Sequence, residues 1–160
     1  MPRIVVANDQ SITEAAGLLR RGELVVLPTE TVYGLGANAL DSQAVAKIFE
    51  AKNRPQFNPL IVHVSDAKKA AEYVEMDKRA HKVADAFWPG PLTLILPRRE
   101  EAGVSDLVSA GLDTLAIRVP AHKIMQQVMM SADIPIAAPS ANASGEPSAT
   151  TPKHVAESLG

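Results

Sequence analysis

"SQAVAKIFEAKNRPQFNPLIVHVS", residues 42–65, holds two patterns back to back. In its first half Val45, Ile48 and Phe49 recur at helical spacing behind Asp41 or Ser42 as a cap, which predicts an amphipathic helix over 42–52. Lys52 stands next on that stripe, Arg54 follows it, and Pro55 stops the helix. The second half, "PLIVHVS" (59–65), alternates, with Leu60, Val62 and Val64 on one face and Ile61, His63 and Ser65 on the other. That period predicts a strand. A helix feeding into a strand is the unit from which α/β folds are built.

The same alternation extends in both directions. "RIVVA" (3–7) reads as a strand, and "SITEAAGLLRRG" as a helix opened by a Ser11/Glu14 capping box and closed near Gly22. "LVVLP" (24–28) is a short buried strand. After residue 65, "DAKKAAEYV" is a helix capped by Asp66, and "KRAHKVADAFW" (78–88) a helix cut by Pro89-Gly90-Pro91. "LTLILP" and "LAIRVP" read as strands, "HKIMQQVMMS" as a helix, "IPIAAP" as a strand, and a last helix starts at Thr151-Pro152. The expected fold is α/β, a twisted mixed parallel and antiparallel sheet flanked by helices. Pro135 suggests an edge position for its strand, and 98–113 is the longest irregular connection, expected to be a mobile loop.

Composition narrows the function classes. The chain has 160 residues, 46% of them hydrophobic, which fits one globular domain with a real core. Lys+Arg 16 against Asp+Glu 18 gives a net charge of -2, so any basic site is local rather than global. With no cysteine there is no disulfide, no thiolate metal site and no cysteine nucleophile, and no apolar run approaches membrane-spanning length. The default is a cytoplasmic protein.

The chemistry-bearing residues cluster at element ends. There is no GxxxxGK[ST] loop. "GLGANA" matches a relaxed GxGxxA but stands too far past its strand, with no acidic residue about 20 positions on, so its glycines read as a tight loop near a ligand or another backbone. "TETVYGLG" (29–36) crowds Thr29, Thr31 and Tyr33 past a strand end. In "LAIRVP", Arg118 points away from Leu115, Ile117 and Val119, and a buried guanidinium needs a partner or an anion. "APSANASGEPS" (138–148) offers Ser140, Asn142, Ser144 and Ser148 with exposed N–H groups able to approach phosphate or sugar. His81 and His122 read as solvent-side helix residues. Cations and hydroxyls without an evident strong base suit phosphoryl or nucleotidyl transfer, where positioning and charge stabilisation dominate.

"PTETVYGLG", Lys52-x-Arg54-Pro55, "NPLIVHV", "WPGPLT", "AIRVP" and "PSANASG" together resemble the YrdC family of L-threonylcarbamoyl-AMP synthases, nearer to its longer two-domain members. The resemblance runs in order from about residue 10 to 160, with Lys-x-Arg and Ser140-x-Asn142 as a paired signature. It implies a YrdC-like fold with a concave basic cleft, here one domain over 1–160 that is C-terminally incomplete relative to the family. It implies a reaction of L-threonine, bicarbonate and ATP giving threonylcarbamoyl-AMP and pyrophosphate, for threonylcarbamoyladenosine in tRNA. By motif, Thr31, His63, Arg118 and Ala138 would contact threonine, and Lys52, Arg54, Asn58, Thr114, Ser140, Asn142 and Ser148 would hold ATP. Lys52 and Arg54 would carry the catalytic charge, and Mg2+ would ride on ATP phosphates with no protein metal ligand. Implied partners are tRNA or double-stranded RNA and the proteins that pass the threonylcarbamoyl group to tRNA, with no membrane. The alternatives are a non-catalytic module for double-stranded RNA or ribosome maturation, and a carbamoyl-adenylate-forming relative.

Overall fold

The computed structural model describes residues 4–53, 55 and 58–141. In chain order the elements are α1 (Asp9–Arg20), β1 (Val25–Leu27), β2 (Gly34–Asn38), α2 (Ser42–Lys52), β3 (Ile61–His63), α3 (Ala67–Ala70), α4 (Lys78–Phe87) and β4 (Thr93–Pro97). A 3-10 turn (Glu100–Ala102), α5 (Asp106–Ser109), β5 (Thr114–Arg118), α6 (Lys123–Ala132) and β6 (Ile136–Ala137) follow. The sheet order is β1-β2-β6-β3-β5-β4. Its β3–β5 pair is parallel and its other pairs antiparallel, which is the mixed sheet expected from the alternation.

Helices cover both faces. The apolar stripe of α2 (Val45, Ile48, Phe49) packs with Val62, Leu115 and Ile117 in one cluster. Leu19 of α1 and Met125, Val128 and Met129 of α6 pack with Leu27 and Ile136 in another. The α2 helix starts as its sequence dictates, with the Asp41 side chain accepting from the N–H groups of Gln43 and Ala44, and it ends in left-handed Asn53.

Several expectations fail, each for a physical reason. Residues 4–7 form no strand, and Ile4, Val5 and Val6 are exposed, because a β-prone run without a strand beside it has no ladder to join. The capping box of α1 is Asn8 with Ser11, not Ser11 with Glu14, so the helix begins earlier. Asn8 Oδ1 accepts from Ser11 N at 2.8 Å while Ser11 Oγ accepts from Asn8 N at 2.9 Å. "GLGAN" is a strand rather than a loop. A Cβ at Gly36 would meet Ile136 Cγ2 at 3.1 Å and the Val25 carbonyl at 3.1 Å, so glycine lets three strands close up there. The strand after Pro135 lies inside the sheet, between β2 and β3. Pro135 precedes that strand, where the missing N–H costs nothing, and its carbonyl accepts from Ala39 N. Residues 98–113 are folded into short helices tied down by Arg98, which donates to Ser109 Oγ at 2.7 Å and Val104 O at 2.7 Å. His81 is exposed on α4, whereas half-buried His122 caps α6, its Nδ1 accepting from Ile124 N. The helix expected from Thr151 lies outside the described residues. Among the described residues no helix is long and apolar enough to cross a membrane.

Candidate functional site

The parallel register sets His63 of β3 beside Arg118 of β5, so two residues distant in sequence share one sheet end. The 29–34 loop and residues 138–140 after β6 close around them. Gly34 bridges Ser140, Leu35 N donates to Pro139 O at 2.8 Å, and Ala141 N donates to Tyr33 O at 2.8 Å. The loop is braced by Thr29, whose Oγ1 donates to Val32 O at 2.6 Å and lies 3.0 Å from Thr31 Oγ1. A cavity of about 310 Å³ results, lined by Thr29, Thr31, Ile61, His63, Arg118, Ala138 and Ser140 among others. Among the described residues that line it, Arg118 is the one that carries a charge.

Lys52 reaches this site from the end of α2. It ends the stripe of α2, is 2% exposed, and its Nζ donates to the Ser140 carbonyl at 2.6 Å and lies 3.5 Å from Ser140 Oγ. The ammonium thus ties the end of α2 to Ser140, a residue of the cavity wall.

Arg118 is buried and its guanidinium is held on several sides. Nε donates to Gly90 O at 3.0 Å, Nη1 to Thr31 Oγ1 at 3.3 Å, and Nη2 to Glu30 Oε1. Glu30 Oε2 also accepts from Ala121 N at 2.7 Å.

The family model Sua5_yciO_yrdC, with the description "Telomere recombination", matches residues 17–160. The chain belongs to the Sua5/YciO/YrdC family. Within it, a curated relative from Pyrococcus abyssi named threonylcarbamoyl-AMP synthase is 54% identical over 94% of this chain and 44% of its own length. One of the same name from Bacillus subtilis is 51% identical over 95% of this chain and 44% of its own. The chain therefore spans less than half the length of these curated relatives. The crystal structure of P. abyssi Sua5 complexed with L-threonine superposes with a TM-score of 0.91, at 50% identity, over 96% of this chain and 45% of that one.

In this Sua5/YciO/YrdC domain Thr31, His63, Arg118, Ala138 and Ser140 meet at one cavity, with Lys52 hydrogen-bonded to Ser140. Asn58 and Thr114 do not line it. Asn58 N donates to Pro55 O at 3.2 Å. Thr114 opens β5 opposite Pro97, roughly 13 Å along the strand from Arg118. Arg54, Asn142 and Ser148 lie outside the described residues. Sequence reasoning missed Glu30 and Gly90. The signal for Glu30 was its position inside the hydroxyl-rich "TETVYGLG" loop, and for Gly90 the Pro-Gly-Pro run read only as a helix stop.

Gly90 has no room for a side chain, since a Cβ there would stand 2.5 Å from the Phe87 carbonyl. Its own N–H donates to Val119 O at 2.8 Å, so the backbone cannot move away freely. Gly90→Ala is expected to cost about 1–3 kcal/mol of stability and to shift the carbonyl that holds Arg118 Nε. Thermal melts check this, and an unchanged melting temperature would contradict it.

His63 is buried, with Nδ1 3.2 Å from Ile61 O. Burial first, and then Arg118, lowers its pKa from 6.5 to about 4. Between those values only the unfolded chain takes up the proton, so acidification favours unfolding. The stabilisation is present above pH 6.5 and is lost as pH falls towards 4, a loss on the order of 3 kcal/mol. Urea unfolding at pH ~7 and ~4.5 should show a clearly weaker pH dependence in His63→Asn; equal dependence in both proteins would refute it.

Proposed function

We propose that the chain carries the L-threonine site and part of the ATP site of a threonylcarbamoyl-AMP synthase. The observation that carries this reading is the buried Arg118 guanidinium, lining a 310 Å³ cavity beside His63 and Thr31. A fork of N–H donors suits a carboxylate, and the nearby hydroxyl and imidazole suit a small polar side chain. The two relatives of that name, both above 50% identity, support the same reading.

In this reading the carboxylate of threonine sits on Arg118, with Thr31, His63 and Ala138 around the rest of the molecule. ATP lies towards Ser140 and Lys52, with Arg54, Asn58, Thr114, Asn142 and Ser148 as further contacts. The threonine nitrogen forms a bond to the carbon of bicarbonate while a C–O bond breaks and water leaves, the ammonium proton passing to solvent, which gives a carbamate. An oxygen of that anion forms a bond to the α-phosphorus while the α–β anhydride bond breaks and pyrophosphate leaves. The nucleophile is already an anion, so no protein base is required. Lys52 and Arg54 offset charge developing on the phosphates. Among the described residues no group of three or more His, Asp or Glu side chains is placed to hold a metal. In this reading Mg2+ would be carried on phosphate oxygens and water, where it would neutralise the triphosphate. The product would serve threonylcarbamoyl transfer to tRNA in the cytoplasm.

Pyrophosphate release from ATP tests this. The expected result is release that needs both L-threonine and bicarbonate, measured on this chain beside a full-length relative. Release that proceeds without either one would overturn the reading.

A further inference from the structure

The carboxylate of Glu30 bridges Arg118 Nη2 and the Ala121 N–H, and so pins the guanidinium against the 119–121 segment. Arg118 lines the cavity, whereas the residues lining it do not include Glu30. The guanidinium has five N–H donors. One goes to Glu30, one to Gly90 O and one to Thr31 Oγ1, so the donor set is not exhausted by these partners.

The consequence is electrostatic. A buried guanidinium with no carboxylate beside it draws any small anion, because the alternative is an uncompensated charge. Paired with Glu30, the same fork offers hydrogen bonds without a net positive charge behind them. A ligand carboxylate then gains directional contacts, and a cationic group on the same ligand is not repelled by the cavity wall. Both groups stand at the cavity, Arg118 lining it and Glu30 held directly against Arg118 Nη2.

We propose that Glu30 is a specificity-determining residue of the amino-acid site, neutralising Arg118 from outside the cavity so that a zwitterionic α-amino acid is taken in preference to a simple carboxylate anion. This rests on reading the cavity as the threonine site. Glu30 acts through Arg118 and is a positioning residue.

Calorimetric titration with L-threonine and with 3-hydroxybutyrate, which keeps the methyl, hydroxyl and carboxylate but lacks the amino group, tests it. Wild type should prefer threonine. Glu30→Gln should narrow that preference at least about tenfold, mainly by binding 3-hydroxybutyrate more tightly. Glu30→Asp keeps the charge and should hold the preference within about threefold. A purely structural role would shift the melting temperature of Glu30→Gln and leave the ratio alone, which would overturn the proposal. So would wild type binding 3-hydroxybutyrate as tightly as threonine, a measurement that needs no variant to fold. Wild type binding neither ligand would instead overturn the threonine reading beneath it, and this proposal with it.

Discussion

Arg118→Lys should weaken L-threonine binding by about a hundredfold or more in a chain that still folds. Lysine keeps the charge but has no counterpart to the Nε that donates to Gly90 O, nor the planar fork that spans Thr31 and Glu30. An ammonium at this position would settle on Glu30 alone, leaving no oriented donors for a second carboxylate. Losing a bidentate, charge-assisted contact in a largely desolvated site costs about 3 kcal/mol, which is the hundredfold. Calorimetry gives the affinity and a thermal melt shows whether the fold survives. Binding within about threefold of wild type would remove Arg118 from the carboxylate site.

Lys52→Met should cut threonine- and bicarbonate-dependent pyrophosphate release by about 100- to 1000-fold while threonine affinity stays within about threefold. Methionine matches the length of the buried lysine stem, so the packing at the end of α2 is largely preserved. What disappears is the ammonium that donates to the Ser140 carbonyl at 2.6 Å. With it goes the positive charge beside the loop proposed to face the phosphates. Release at the wild-type rate would assign Lys52 to loop anchoring alone.

The fold was legible wherever local pattern and tertiary context agreed. The α2 stripe and its Asp41 cap, the alternation around Val62, and the opposite facing of Ile117 and Arg118 all appear as read. Where propensity and context diverge, the reading failed. Residues 4–7 of "RIVVA" are strand-prone but have no strand beside them among the described residues, and "GLGAN" has two glycines yet is a strand, because close approach to Ile136 and Val25 demands one at Gly36. Of the candidate site, the separate pieces were visible as unusual residues at element ends. Their meeting was not, because it depends on a parallel β3–β5 register that no local pattern encodes. Glu30 shows the same limit. An acidic residue between two threonines reads as an ordinary loop charge until Arg118, 88 positions away, turns out to be its partner.

A crystal structure of this chain grown with L-threonine tests directly whether the Arg118 cavity is the amino-acid site. The expected density has the amino acid inside the cavity between Thr31, His63 and Ser140, its carboxylate on the Arg118 guanidinium, and Glu30 still held by Ala121 N. Threonine bound elsewhere, or in the cavity with its carboxylate turned away from Arg118, would contradict it.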